Sequence, residues 1–88
     1  MDASQALELI KAATQIRYTD HALERMDERG VERRDVWHCL GTASICEAGT
    51  SGEWRVKGSD REGVALLVVV EIEVILTGAV RNVVITIF

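Results

Sequence analysis

The sequence predicts an α+β domain in which two to three N-terminal helices pack on one face of a four-stranded antiparallel β-sheet. Apolar residues recur at helical spacing up to about residue 42, and they follow the period of a strand from residue 43 onward. Short Gly-containing turns separate the later segments, which favours antiparallel pairing of consecutive strands. A chain of 88 residues with 48% hydrophobic residues is enough for a single domain, spanning 1–88.

The first two helices are predicted from their apolar stripes and their capping residues. Residues 2–13 carry an apolar stripe, and either Asp2 or Ser4 can cap that helix. A short extended segment at 15–18 follows. Thr19 then offers a hydroxyl to the start of a second helix at 20–29, and Gly30 ends it in a left-handed conformation.

A third, short helix is predicted to begin at Val31 and to stop at Gly41. Glu32 is a weak cap for it. Val36, Trp37 and Leu40 are expected to face the core. The second and third helices therefore form a corner around Gly30.

Four strands are predicted, at about 43–48, 53–57, 64–76 and 80–88. The last two are apolar on both faces, whereas a sheet that is half open to water normally alternates apolar and polar residues. The helices are expected to cover the face with Leu66, Val68 and Val70, and the other face is expected to expose Leu67, Val69, Val84 and Phe88. We therefore predict a homodimer through this face, or through the edge of the last strand.

Composition limits the possible functions. The formal net charge of −4 disfavours a simple nucleic-acid binder, because neutralising phosphates requires a surplus of cations. Cys39 and Cys46 are interpreted as small buried hydrophobes in a reducing compartment. The first residues are polar, and the apolar run at 64–76 is too short to span a bilayer. We therefore expect a cytoplasmic protein without a membrane segment.

The most distinctive residues are His21, Arg25 and Arg29, which are spaced by four and so share one helical face. Two guanidiniums can bind a phosphate, and an imidazole can transfer a proton near neutral pH. Glu24 and Glu28 support the alternative of a solvated face of ion pairs. Both interpretations remain open from the spacing alone.

A second set of cations could contact RNA. Arg55 and Lys57 share one face of the second strand, and Arg81 could add a further phosphate contact. The alternative is a solvated strand whose charges prevent aggregation. Glu71 and Glu73 have no third ligand at a suitable spacing, so no metal site and no cofactor are expected.

The string that runs from Tyr18-Thr-Asp-His-Ala through Arg-Met and Arg-Gly-Val to Val36 resembles the domain-of-unknown-function 4258 family. Members of that family typically read aromatic–Ser–x–His–Ala–x–x–Arg–Met–x–x–Arg–Gly–Ile, followed by an acidic-Val helix and a sheet. The family looks related to the RelE/ParE and MqsR-like toxin superfamily, whose members are small ribonucleases or gyrase poisons with helices on a four-stranded antiparallel sheet.

This resemblance implies a RelE/ParE-like fold and a bacterial toxin–antitoxin module with metal-independent ribonuclease activity. His21 would be the general acid or base, Arg25 and Arg29 would bind phosphate, and the partners would be an antitoxin and RNA or the ribosome. The acidic chain departs from the usual basic toxin, and Phe88 stands where relatives are expected to have Tyr. A non-enzymatic interaction module, or a relative without activity, is the alternative.

Overall fold

The computed structural model describes all 88 residues, which form three helices and five strands. Their bounds in chain order are α1 Ala3–Ala12, β1 Gln15–Tyr18, α2 Asp20–Arg29, α3 Arg33–Thr42, β2 Ile45–Ala48, β3 Trp54–Ser59, β4 Ala65–Val74 and β5 Val80–Ile87. The mixed α+β class is confirmed. None of the helices has the length and apolar character that a membrane crossing requires.

The helix ends follow the predicted local signals. The Asp2 carboxylate accepts from the backbone N–H of Gln5 at 2.8 Å, and the Thr19 hydroxyl accepts from that of Ala22 at 3.1 Å. Gly30 adopts φ 66°, the left-handed conformation that ends α2. In the first turn of α3, Asp35 accepts from the backbone N–H of Glu32 at 2.9 Å.

The prediction of four antiparallel strands is wrong, because the sheet has five strands in the order β1-β5-β4-β3-β2. The segment at 15–18 is a strand, and it pairs in parallel with β5 from Gln15↔Arg81 to Tyr18↔Val84. These partners lie far apart in the chain, so no local signal indicates the pairing. The sheet edges are therefore β1 and β2, and β5 is an interior strand, contrary to the prediction that it could be an edge.

A β-bulge decides which residues of β5 face the helices. Val69 pairs with Thr86, but the next residue, Val70, pairs with Val84, so Ile85 is the extra residue. Val84 was predicted to lie on the exposed face, and this is wrong: it is fully buried in the core. A strict two-residue alternation along β5 cannot anticipate the bulge.

All three helices pack on the same face of the sheet, which we call the covered face; the opposite one is the open face. The core between helices and covered face comprises Ile10, Ala22, Met26, Val36, Cys39, Leu40, Ala43, Val56, Leu66, Val68, Val70, Val84 and Ile87. Trp37 is 45% exposed, contrary to prediction, because the buried stripe of α3 runs through Val36, Cys39 and Leu40.

Candidate functional site

Two side chains of the α2 region complete the edge of β5. β1 ends at Tyr18, opposite Val84, so the rest of β5 has no strand neighbour on that side. The Thr19 hydroxyl donates to the carbonyl of Ile85 at 2.9 Å, and the Arg25 guanidinium lies 3.5 Å from the carbonyl of Ile87 through Nε and Nη2. Since unpaired strand carbonyls need partners, Thr19 and Arg25 have a structural role here.

The rest of the Arg25 side chain is also occupied. Its guanidinium lies over the Phe88 ring, 5.4 Å from the centroid, and Nη1 is 3.9 Å from the Glu28 carboxylate. The side chain is 31% exposed, so one side of the guanidinium still meets solvent. Arg25 therefore holds the end of β5 and can contact a ligand only with its exposed side.

His21 and Arg29 differ from Arg25, because both are exposed and neither has a side-chain hydrogen bond or an ion pair. Three cavities exist in the molecule, and none of them is lined by His21, Arg25 or Arg29. The structure thus keeps the three residues along one face of α2 but does not gather them in a cleft.

The second predicted set, Arg55, Lys57 and Arg81, lies on the open face, on the other side of the sheet from α2. Lys57 pairs with Glu47 at 3.1 Å, and Arg81 pairs with Glu73 at 3.0 Å. Only Arg55 is without an intramolecular partner. A single nucleic-acid surface that uses both predicted sets would have to pass around the end of the sheet.

Buried groups with altered acidity do not supply a nucleophile. Burial raises the pKa of the Cys39 thiol to about 11, and burial next to Glu47 also raises the pKa of Cys46. The Tyr18 hydroxyl is buried without a hydrogen-bond partner, and burial raises its pKa although the Arg33 guanidinium lies 4.9 Å from the ring centroid. No group of three or more His, Cys, Asp or Glu residues could hold a metal ion.

The open face is less exposed at its centre than the sequence predicts. Val69 is only 7% exposed and Val83 only 4%, because their register neighbours are longer side chains such as Arg55, Glu71 and Arg17. On the open face, the apolar side chains that reach solvent lie at one end instead. We call this group the corner patch; it consists of Ile45, Ala65, Leu67 and Phe88.

The corner patch crosses the sheet in one row. Ile45 pairs with Lys57, Lys57 pairs with Leu67, and Leu67 exchanges two backbone hydrogen bonds with Phe88. Ile45 is 48% exposed and Phe88 is 50% exposed. A cavity of about 300 Å³ opens here between Lys57 and Phe88, over Ala65 and Leu67.

Three cations surround this apolar corner. Arg25 covers one side of the Phe88 ring, and Lys57 lines the cavity. Arg55 lies two residues before Lys57, on the same face of β3. Sequence reasoning identified Leu67 and Phe88, and it singled out the three cations for a different role, but it missed Ile45 and the placement of the cations around the patch. The signal that could have found the arrangement is the strand register, which places Ile45, Lys57 and Leu67 side by side.

Comparisons with known proteins identify a family for this chain but do not assign an activity to it. No curated protein and no solved structure matches the chain. The family described as "Domain of unknown function (DUF4258)" matches residues 18–88, which covers the part of the chain from the end of β1 to Phe88 and leaves α1 outside. The chain therefore belongs to the DUF4258 family.

Proposed function

We propose that the protein is an interaction module that binds an acidic, partly apolar segment of a partner protein at the corner patch. The observation that carries this proposal is the row of Ile45, Leu67 and Phe88 with cations around it, in which Ile45 and Phe88 are exposed and Leu67 is half-buried. Exposed apolar residues that adjoin one another and have a polar rim are typical of protein-binding surfaces.

The charges around the patch decide the chemistry of the partner. Arg55 has no carboxylate partner in the chain, and the guanidinium of Arg25 is partly open to solvent. Two carboxylates lie nearby: Glu28 is 3.9 Å from Arg25, and Glu47, opposite Arg55 in the strand register, already pairs with Lys57. A partner that places a carboxylate near Arg55 and an apolar side chain against Leu67 would satisfy both features.

The experiment compares what the chain captures from a lysate of its own source with what two variants capture. Leu67→Asp introduces a negative charge into the patch, and Trp37→Asp is the matched control, since Trp37 is an exposed apolar residue on α3. A protein captured by the wild type would be identified, purified and titrated. We expect Leu67→Asp to abolish binding, Trp37→Asp to retain it, and added salt to weaken it.

Identical capture by both variants would contradict the proposal. The homodimer predicted from the sequence is a separate outcome, which sedimentation equilibrium of the purified chain at micromolar concentration reads directly. A dimer that Leu67→Asp dissociates would make a second copy the occupant of the patch.

The toxin hypothesis is a second candidate, favoured by the two exposed and unpaired side chains of His21 and Arg29 in the segment that matches the family. It predicts that induced expression slows growth and that RNA is cleaved. His21→Ala and Arg29→Ala are the appropriate tests, because Arg25→Ala also removes the contacts to Ile87 and Phe88. General acid–base loss should reduce the cleavage rate by about 10²–10⁴-fold. Harmless expression of the wild type would contradict this hypothesis.

A further inference from the structure

The largest cavity, of about 580 Å³, lies at the other end of β4 from the corner patch. Met1 and Leu9 line it from the α1 end, and Ser51, Gly52 and Trp54 line it from the turn before β3 and the start of β3. Glu71, Ile72 and Val74 of β4 complete the lining. Its size is within the range of ligand-binding clefts. Met1 is 69% exposed and Val74 is 66% exposed, so the apolar lining is open to solvent.

The strand register shows that this cavity borders an unpaired stretch of β4. The first residue of β3, Trp54, is opposite Val70, so no β3 residue lies opposite the last four residues of β4. On its other side β4 continues to pair with β5 as far as Val74↔Val80. On the β3 side, the last four residues of β4 therefore have no neighbouring strand.

The direction in which the unpaired backbone groups point follows from a residue pair near the start of β4. Leu67 exchanges both of its backbone hydrogen bonds with Phe88, so its N–H and C=O point toward β5. Backbone groups point to alternate sides along a strand, so those of the even-numbered residues of β4 point toward β3. Ile72 and Val74 therefore present N–H and C=O groups to the cavity, where β3 has no residue to pair with them.

Two kinds of side chain stand beside this free edge, one kind on each face of the sheet. Trp54 and Ile72 lie on the covered face and pack partly against the core. Glu71 lies on the open face, opposite Val83; it is exposed and has no ion-pair partner. A strand added at this edge would therefore direct alternate side chains toward an apolar surface and toward a carboxylate.

We propose that this edge binds an extended segment of a partner protein by strand addition, with apolar residues on either side of a basic residue. The segment continues the line of β3 and pairs with Ile72 and Val74. Its apolar side chains contact Trp54 and Leu9. Its cation lies opposite Glu73, which already pairs with Arg81 at 3.0 Å, and reaches Glu71 as the diagonal neighbour on the same face. This binding mode takes its affinity from backbone hydrogen bonds and its specificity from alternate side chains. The site is independent of the corner patch, so either proposal can fail alone.

The free protein provides the first test. Amide hydrogen exchange should be fast at Ile72 and Val74 and much slower at Val70, which pairs with Trp54. Equal protection of all three amides would mean that the β4 edge is already satisfied, and it would overturn the proposal.

The second test titrates the isotope-labelled protein with the peptide acetyl-Val-Lys-Val-amide and follows amide resonances. We expect saturable shifts at Ile72, Val74 and the Trp54 indole at millimolar peptide. The matched control peptide has the same sequence with its backbone nitrogens methylated, which removes the donors that strand addition requires. Equal binding of the methylated peptide would show side-chain contact only, and no shift with the first peptide would exclude the site; each result overturns the proposal.

Charge is tested with Glu71→Gln, which should weaken binding by up to about fivefold, the contribution of an exposed ion pair. Glu24→Gln is the matched control, since it removes the same charge from the exposed surface of α2 and should leave the affinity unchanged. Equal weakening by both variants would indicate a general effect of net charge and would contradict the role of Glu71.

Discussion

The two faces of the sheet carry similar apolar residues, but only one of them is covered. Val68 and Val69 are neighbours on β4, yet Val68 is fully buried beneath the helices and Val69 is screened only by the side chains around it. This difference indicates that close packing on the covered face leaves no room for added atoms or buried polar groups, whereas the open face can accept polar groups. The following predictions test this contrast, beginning with the largest expected effect.

Gly58→Ala should give the largest loss of stability, about 3 kcal/mol, because a Cβ there would lie 2.9 Å from the Cys39 carbonyl oxygen and 3.0 Å from its sulfur. β3 and α3 approach closely only because Gly58 has no side chain. Chemical denaturation measures the change. Gly41→Ala is the control: it has open space around it and lies within α3, so it should be neutral or stabilising by up to about 1 kcal/mol. Equal losses for both would contradict close packing at Gly58.

Val68→Thr and Val69→Thr place the same hydroxyl on opposite faces of β4. The hydroxyl of Val68→Thr would be buried in the apolar core, which should cost about 2 kcal/mol. Val69→Thr should change the free energy of unfolding by less than about 0.5 kcal/mol, because its register neighbours Arg55 and Thr86 offer the new hydroxyl polar partners. Similar values for the two variants would show that the faces do not differ as described.

Thr19→Ala should cost about 1.5 kcal/mol. The hydroxyl caps α2 by accepting from the Ala22 N–H and donates to the carbonyl of Ile85, so one substitution removes both the cap and a hydrogen bond between the helix layer and β5. Thr50→Ala, in the exposed turn before β3, is the control and should be neutral. A neutral Thr19→Ala would mean that water replaces both contacts.

The smallest effect is expected for Asp35, which ties α3 to the turn after β3. The backbone N–H of Glu32, followed by the Arg61 side chain, lowers the pKa of the Asp35 carboxyl below its usual value of 3.8. A lowered pKa in the folded protein stabilises it fully above that usual value, and the contribution is lost as the pH falls through the lowered pKa.

Asp35→Asn should therefore be less stable than the wild type at pH 7, and the difference should shrink as the pH falls below about 4. Denaturation at a series of pH values measures it, and a difference that is independent of pH would contradict the assignment. The half-exposed position of Arg61, at 39%, keeps the effect modest.

The sequence predicted most of the elements because their signals are local. Thr19 and Gly30 define both ends of α2, and the observed Asp20–Arg29 agrees with the predicted 20–29. The covered-face residues Leu66, Val68 and Val70 were also predicted correctly, since β4 keeps a regular alternation. The prediction that Trp37 faces the core was wrong, because the sequence of a short helix with apolar residues on several sides does not show which side packs against the sheet.

The candidate sites were less predictable. The sequence drew attention to His21, Arg25 and Arg29 through their spacing, but spacing along a helix does not show what lies opposite. Arg25 proves to contact Ile87 and Phe88 at the far end of the chain. The corner patch and the free edge of β4 both depend on strand register, which is set by pairing between residues distant in sequence.

By itself, the sequence determined the α+β class, the helix caps, most strand positions and the family, because these depend on neighbouring residues and on a shared motif. Only the tertiary structure decided that residues 15–18 form a fifth strand parallel to β5, that a bulge turns Val84 into the core, and that β4 extends beyond β3. Each of these is a long-range pairing, in which the backbone hydrogen bonds are nearly the same for many partners. The choice among partners is made by how the helices and the sheet pack together as a whole.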